Sequence, residues 1–320
     1  MLSRTAHVFA VVIALGLSAC LHRAETSTQA PVAQAASPQP SGGTPGASPR
    51  GGEDAELSAH LKEICGRAGG RCGVAVTHVE TGRGAAFEGA TPLPLYSVFK
   101  LPLAVAVLKE VEAGRLQLDQ RVRVEPEETV PGTEENSALW RKSSERPLRE
   151  LLEFSIARSD NTSTDKMLEL VGGPEAVMRH MRTLGLNRIE VRSTVKDFLK
   201  SREAHPNAGA PEDLARLLVL LQKGEALAPP QTEVLLGIMS RTVTGDRRLR
   251  AGVPAGTTVA DKTGSGPSTT NDVGVITLPG DRGHLALAVL LDGSKLPGKQ
   301  QEDLIAEVAR AAYDAHVRGK

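Results

Sequence analysis

Strand-type sequence occurs at the two ends of the folded part of this chain, and helical sequence fills the middle. Residues 72–79 alternate and are rich in Val, Glu80-Thr81-Gly82-Arg83-Gly84 reads as a turn, and 85–89 as a short partner strand. Helical patterns then dominate from Leu101 to about Lys223, broken by loops at 130–136, 159–165 and 191–211. Strand patterns return at 257–262, 273–278 and 284–292, and amphipathic helices at 56–67 and 301–318 open and close the region. Strands at both ends bury their apolar faces by pairing with each other. The expected fold class is therefore α+β. One antiparallel sheet is built from the N- and C-terminal strands and flanked by helices, with an all-helical lobe over about 97–225 inserted in it. A cleft between two such lobes is a usual place for a small-molecule site.

Composition narrows the partners. The 320 residues carry no net formal charge, so a basic nucleic-acid surface is not expected. The eight His are scattered, with no pair at metal-ligand spacing, so no metal site is expected. With five Phe, two Tyr and one Trp, the core must rest on Leu, Val, Ile and Ala. Neutral charge and the lack of an apolar patch point to a monomer.

The first residues read as a targeting segment. Arg4 and His7 precede an apolar run from Val8 to Leu17, too short to span a membrane and shaped like a secretory h-region. Leu17-Ser18-Ala19-Cys20 follows, which has the form of a bacterial lipobox with Cys20 as the lipidated residue. Residues 1–20 are thus expected to be a lipoprotein signal peptide. Residues 21–53, rich in Pro, Ser, Ala, Gly and Gln, read as a disordered tether. The domain proper spans 54–320. The expected location is exported and lipid-anchored, facing the periplasm, with Leu21 after the anchor pointing to an outer membrane where two membranes exist. Cys65 and Cys72 remain, and an oxidising compartment allows them to pair or to stay as two small packed residues.

Three short motifs fall where the chain crosses between the lobes. Ser97-Val98-Phe99-Lys100 opens a helical run, so Ser97 and Lys100, three apart, can share a face. The helix N-terminus adds free N–H groups and a field that favours an oxyanion. Pro102 lacks an N–H for the Val98 carbonyl and should bend the start of that helix. Ser159-Asp160-Asn161 follows a helical run over 148–157 and precedes another over 165–170. Lys262-Thr263-Gly264 ends a strand. Any one of these could be an ordinary helix cap or polar strand end. Together they supply a nucleophile, two amines and polar groups to hold an amide.

In this order the motifs resemble those of a class A serine β-lactamase, one of the penicillin-recognising serine hydrolases. Thr244-Gly245-Asp246, Leu249-Arg250-Ala251-Gly252, Pro254-Ala255-Gly256 and Thr270-Asn271-Asp272-Val273-Gly274 extend the likeness over roughly 56–317. Ser-Asp-Asn favours class A over the Ser-x-Val of class D and the Tyr-x-Asn of class C. The resemblance implies β-lactam hydrolysis through an acyl-enzyme on Ser97, with no cofactor. It makes Lys100 and Ser159 catalytic. Asn161, Lys262, Thr263, Gly264 and Ser265 become substrate-binding. Asp160 would hold the loop, Gly264 would let substrate lie close to the backbone, and the N–H groups of Ser97 and Ser265 would form an oxyanion hole. Trp140 falls near the cleft mouth in this reading, although a lone aromatic is more often packing.

One departure touches the chemistry. The family's Glu-x-x-Leu-Asn loop, whose Glu activates the deacylating water, should place that Glu near Thr194 or Val195. Neither is acidic. Glu190 lies early; Glu203 and Asn207 keep the mutual spacing but lie about eight residues late. Lys100 can take the Ser97 proton only if its pKa falls from ~10.4 to near neutrality, within reach of burial beside Lys262. Deacylation needs its own base. Three readings stay open: a hydrolase with turnover, a penicillin-binding or sensing protein or small D-Ala-D-Ala peptidase that stalls as acyl-enzyme, and an inactive envelope binding module.

Overall fold

The structure is a computed structural model and describes residues 52–201 and 206–318. The proposed lipidation residue Cys20, the tether up to Gly51 and Glu203 lie outside the described residues.

The N-terminal elements are α1 (Ala55–Gly66), β1 (Arg71–His78), β2 (Gly84–Phe87) and β3 (Leu93–Pro94). Asp54 caps α1, its Oδ1 accepting from Leu57 N at 3.0 Å. Cys65 at the end of α1 and Cys72 at the start of β1 form a disulfide, with Cα atoms 5.5 Å apart. The middle of the chain holds α2 (Lys100–Glu112), β4 (Arg121–Val124), α3 (Glu134–Ala138), β5 (Ser144–Pro147), α4 (Leu148–Ala157), α5 (Asn161–Leu170) and α6 (Pro174–Thr183). It continues with β6 (Ile189–Glu190), α7 (Val195–Lys200), β7 (Ala208–Gly209), α8 (Pro211–Gln222) and α9 (Pro229–Met239). The C-terminal elements are β8 (Val259–Gly266), β9 (Thr269–Thr277), β10 (His284–Asp292) and α10 (Gly298–Arg318).

The terminal strands close into one antiparallel sheet in the order β2-β1-β10-β9-β8, as their alternation requires. Strand β10 shows why both faces are covered. Leu285, Leu287, Val289 and Leu291 pack with Ile305 and Val308 of α10, while Ala286, Ala288 and Leu290 pack into the helical lobe. That is the period-two signature of a strand buried on both sides.

Helix α2 is the axis of the helical lobe. Residues 100–108 are all buried, Lys100 included. A helix apolar all round belongs in a core, and the first turn of this one therefore brings a lysine ammonium out of water.

The lobe is not purely helical. It holds the β4–β5 ladder and the small sheet β3-β7-β6, and α9 extends it past residue 225. The loop at 130–136 ends in the short α3, and the loop at 191–211 contains α7 and β7. Two-residue strands carry no readable period, and one-turn helices little more. Helix α5 starts at Asn161 rather than 165, because Asp160 caps it and Oδ2 accepts from Ser163 N at 2.7 Å.

Candidate active site

Ser97 lies in a single 3₁₀ turn, Tyr96–Phe99, immediately before α2. The sequence pattern predicted a helix from Val98; the regular helix begins at Lys100. Pro102 falls in the first turn of α2, where N–H groups lack helical partners anyway, and the Val98 carbonyl accepts from Lys100 N instead. Tyr96 has φ 46°, a left-handed conformation rare for a bulky residue and typical of functional turns.

Strand β8 is the sheet edge and runs directly against this turn. A Cβ on Gly264 would meet the Leu95 carbonyl oxygen at 2.4 Å and Val98 N at 3.2 Å. The Tyr96–Phe99 turn behind Gly264 is by itself sufficient to require a glycine there.

The second motif turns its side chains toward the lysines. Ser159 has φ 56°, and Asp160 beside it is buried. Asp160 Oδ2 accepts from Ser163 Oγ at 2.5 Å and from Trp140 Nε1 at 3.2 Å. Asp160 holds the loop, as expected. Trp140 is not at the cleft mouth; it is fully buried with Val124 and Phe154 and braces Asp160 from behind.

The polar centre joins all three motifs. Lys100 Nζ lies 2.6 Å from the Ser159 carbonyl oxygen, 2.8 Å from Asn161 Oδ1 and 3.2 Å from Ser159 Oγ. Lys262 Nζ donates to Ser159 Oγ at 3.1 Å and to the Thr263 carbonyl at 2.9 Å. No Ser97–Lys100 hydrogen bond is among the bonds of the described residues; the Lys100 amine is engaged by the second motif. Asn161 Nδ2 donates to the Pro131 carbonyl at 2.6 Å and so fastens the loop before α3 to the site.

Burial, then the neighbouring Lys262, push Lys100 well below the usual lysine range, with Asp160 and Asp165 opposing. Burial also lowers Lys262, to about 7, with Asp261 and Asp272 opposing and Arg248 assisting. Lys100 is therefore the amine more easily neutral, and Lys262 the one more easily charged.

A cavity of about 240 Å³ opens beside Ser97, Asn161 and Ser265. Its other wall is apolar, formed by Val195, Phe198 and Leu199 of α7 with Tyr96 and Pro267. Phe198 meets the Tyr96 ring edge-on at 5.9 Å between centroids. Asp165 anchors α7, accepting from Val195 N at 2.7 Å and Lys196 N at 2.8 Å. Asn207 lines the same cavity, and its Oδ1 accepts from Arg192 N at 2.7 Å. Glu190 is not placed at the site; it pairs with Arg192 at the surface. Thr194 caps α7, which accounts for a hydroxyl where the family count expected an acid.

Two residues missed in the sequence complete the β8 rim. Arg248 is 8% exposed and donates to Ser265 Oγ at 2.7 Å, Asn271 O at 2.9 Å and Gly264 O at 3.2 Å. Thr244 Oγ1 lies 2.7 Å from Thr263 Oγ1.

A sequence model described as the β-lactamase enzyme family matches residues 56–316. The solved class A β-lactamase of the last common ancestor of Gram-negative bacteria superposes with a TM-score of 0.74 at 36% identity, covering 82% of this chain and 99% of that one. The chain belongs to the class A β-lactamases. A β-lactamase from Chitinophaga pinensis is similar too, with TM-score 0.78, 32% identity and coverage of 81% and 99%. In sequence, the extended-spectrum β-lactamase PER-1 of Pseudomonas aeruginosa is 32% identical over 234 residues, 70% of this chain and 76% of that protein. The activity of this class A β-lactamase is therefore hydrolysis. The stalled penicillin-binding, sensing or peptidase alternative gains no support from these relatives.

Proposed function

We propose that Ser97 attacks the lactam carbonyl and that Lys100, in its neutral form, receives the Ser97 proton. The observation that carries this reading is the single hydroxyl, Ser159 Oγ, held between the two lysines beside the Ser97 cavity. A neutral Lys100 has two hydrogens, which satisfy the Ser159 carbonyl and Asn161 Oδ1. Its lone pair is then left to take the Ser97 proton, and Ser159 Oγ, 3.2 Å away, accepts from the ammonium so formed. The proton taken from Ser97 returns through Ser159 to the leaving lactam nitrogen, which is general acid work. Lys262, Thr263 and Ser265, with Arg248 behind them, bind the substrate carboxylate. The N–H groups of Ser97 and Ser265 receive the oxyanion, where losing one donor costs ~10²–10³ in rate.

Glu203 is our choice for the base that activates the deacylating water. Asn207, at the family spacing from it, lines the Ser97 cavity and supports this reading. The reading is tested with purified protein. Nitrocefin is expected to be hydrolysed with turnover, and Ser97→Ala to abolish this. Glu203→Gln is expected to leave a burst and an acyl adduct visible by mass spectrometry. A protein mass unchanged at every time, with penicillin intact, would end the proposal.

We also infer export and lipidation at Cys20, with residues 21–53 as a tether. The motif Leu17-Ser18-Ala19-Cys20 supports this, and so does the Cys65–Cys72 disulfide, a bond that persists in oxidising compartments. Cys20→Ala should move the protein from the membrane to the soluble fraction; unchanged fractionation counts against the anchor.

A further inference from the structure

Behind Lys262, on the opposite face of the sheet, lie two carboxyl groups that the chemistry above does not use. Val259 and Ile276 face the α1/α10 side of the sheet, and Asp261 and Asp272, even numbers of residues away on the same strands, share that face. Lys262 and Val273 alternate to the other side, toward the helical lobe. Asp272 stands opposite Thr263, and Asp261 opposite Gly274, so the two acids are diagonal neighbours across the β8–β9 ladder. Gly274 clears the space between them, since a Cβ there would come within 2.9 Å of Asp261 Cβ.

Both acids are fully buried, and each has one oxygen satisfied and one bare. Arg250 Nε and Nη2 bond Asp261 Oδ1 at 2.9 and 2.5 Å. Leu249 N donates to Asp272 Oδ2 at 3.2 Å. Asp261 Oδ2 and Asp272 Oδ1 have no donor among the described residues. A buried carboxylate oxygen without a donor is costly, and two of them on adjacent strands repel. One hydrogen atom removes both problems at once. The charged groups acting on the pair are Arg250 and Lys262 on Asp261, and Arg248 and Lys262 on Asp272. Glu302 of α10 lies beyond, paired with Arg248.

We propose that Asp261 and Asp272 share a single proton between Asp261 Oδ2 and Asp272 Oδ1, and that this acid–carboxylate pair is a positioning element that sets the charge beneath Lys262. The pair then carries one negative charge, matched by Arg250, in place of two. Burial raises both acids, Asp261 to about 6 and Asp272, with repulsion from Asp261 added, well above the usual range; a hydrogen bond from Asp272 counts among the groups acting on Asp261, in keeping with a shared proton. When the proton leaves as pH rises through the range in which Lys262 titrates, a second negative charge appears behind Lys262 and favours its cationic form. The pair thus extends the pH range over which Lys262 stays cationic. This second half rests on the reading of Lys262 as the binder of the substrate carboxylate; the shared proton itself does not.

Two measurements separate these halves. Neutron diffraction from crystals of the wild-type protein in deuterated buffer near neutral pH should place one deuteron between the two oxygens. Finding none there, or a bridging water, overturns the proposal without reference to activity. The variant Asp272→Asn replaces the shared proton with a fixed amide hydrogen, so the second charge never develops. Its kcat/KM near neutrality should stay within about threefold of wild type, because an amide N–H satisfies Asp261 Oδ2 as the proton did. Its alkaline limb should move down by about half a unit to one unit. Superimposable profiles would overturn the positioning role even if the deuteron is found.

Discussion

Lys100 and Lys262 aim their side-chain nitrogens at the same atom: Ser159 Oγ lies 3.2 Å from the first and 3.1 Å from the second. Two buried cations at such a spot would repel, so the arrangement favours one neutral amine. Lys100, the more strongly depressed of the two, is that amine. The hydroxyl between them can accept from Lys262 and from protonated Lys100, which leaves its own hydrogen free to be passed on. Ser159→Ala removes this bridge but leaves the backbone carbonyl that also holds Lys100. The acylation rate should fall by about 10²–10⁴, the range of general acid–base catalysis, with little change in Tm. Stopped-flow acylation beside a melting curve checks both. A rate within threefold of wild type would remove Ser159 from the proton path.

A pH profile tests the other lysine. Its folded pKa is lowered to about 7, chiefly by burial. As pH rises through that value in the free enzyme, Lys262 loses the charge proposed to attract a substrate carboxylate. The value of kcat/KM for an anionic β-lactam should therefore decline on the alkaline side with an apparent pKa at or somewhat above 7, since kcat/KM reports the free enzyme. Bound carboxylate stabilises the cation, so kcat should decline later than kcat/KM. For stability the sign is opposite. Between the folded pKa and the unfolded value of ~10.4 the unfolded chain binds the extra proton, so this group's contribution improves as pH rises over that window. Lys262→Met should remove that part of the slope in a Tm-against-pH series.

The disulfide should matter for stability and not for chemistry. Cys65 and Cys72 are only 7 apart in sequence and lie at the α1–β1 junction, outside the cavity lining. Closing so short a loop stabilises by about 2 kcal/mol in the chain-entropy picture. The double variant Cys65→Ser/Cys72→Ser should then melt about 4–8 °C lower for a domain of this size. Its kcat/KM below the melting range should match wild type, which steady-state assays at moderate temperature would show.

Much of this was legible before any coordinates. The helix expected over 148–157 is α4, Leu148–Ala157, and the strand expected over 284–292 is β10, His284–Asp292. The first is amphipathic with a helical period, and the second is an unbroken apolar run bounded by His284 and Asp292. The order of the three motifs also placed them at the lobe boundary. What escaped depends on contacts distant in sequence. Nothing in Ser97-Val98-Phe99-Lys100 says that Lys100 would turn to Ser159 and Asn161. Arg248 sits among Arg247 and Arg250 in a basic stretch, and only the fold decides which of the three reaches Ser265. Trp140 could not be told from a surface aromatic until Asp160 was found beneath it. Sequence pattern assigns no helix or strand to 224–256, although motifs within it resemble the family's, yet the stretch contains α9 and the Arg248 turn.

Gly266 and Tyr96 provide the most demanding test of the cavity. A Cβ on Gly266 would lie 2.2 Å from Tyr96 Cζ, inside any tolerable contact. The tyrosine cannot simply rotate away. It occupies a left-handed backbone position next to Ser97, and Phe198 of α7 packs edge-on against its ring. Gly266→Ala should therefore push Tyr96 into α7, costing about 1–3 kcal/mol by overpacking. It should also slow acylation, because the displaced residue is bonded directly to Ser97. Tyr96→Ala alone should lose apolar wall but keep the turn. Combined with Gly266→Ala it removes the colliding atoms, so the double variant should be more stable than Gly266→Ala alone. The expected coupling is favourable by 1 kcal/mol or more, within the usual range for residues in contact. Urea melts of the four proteins measure it. Strict additivity would mean that β8 moves as a whole to admit the methyl group, and that the close approach of strand and nucleophile turn is softer than the geometry implies.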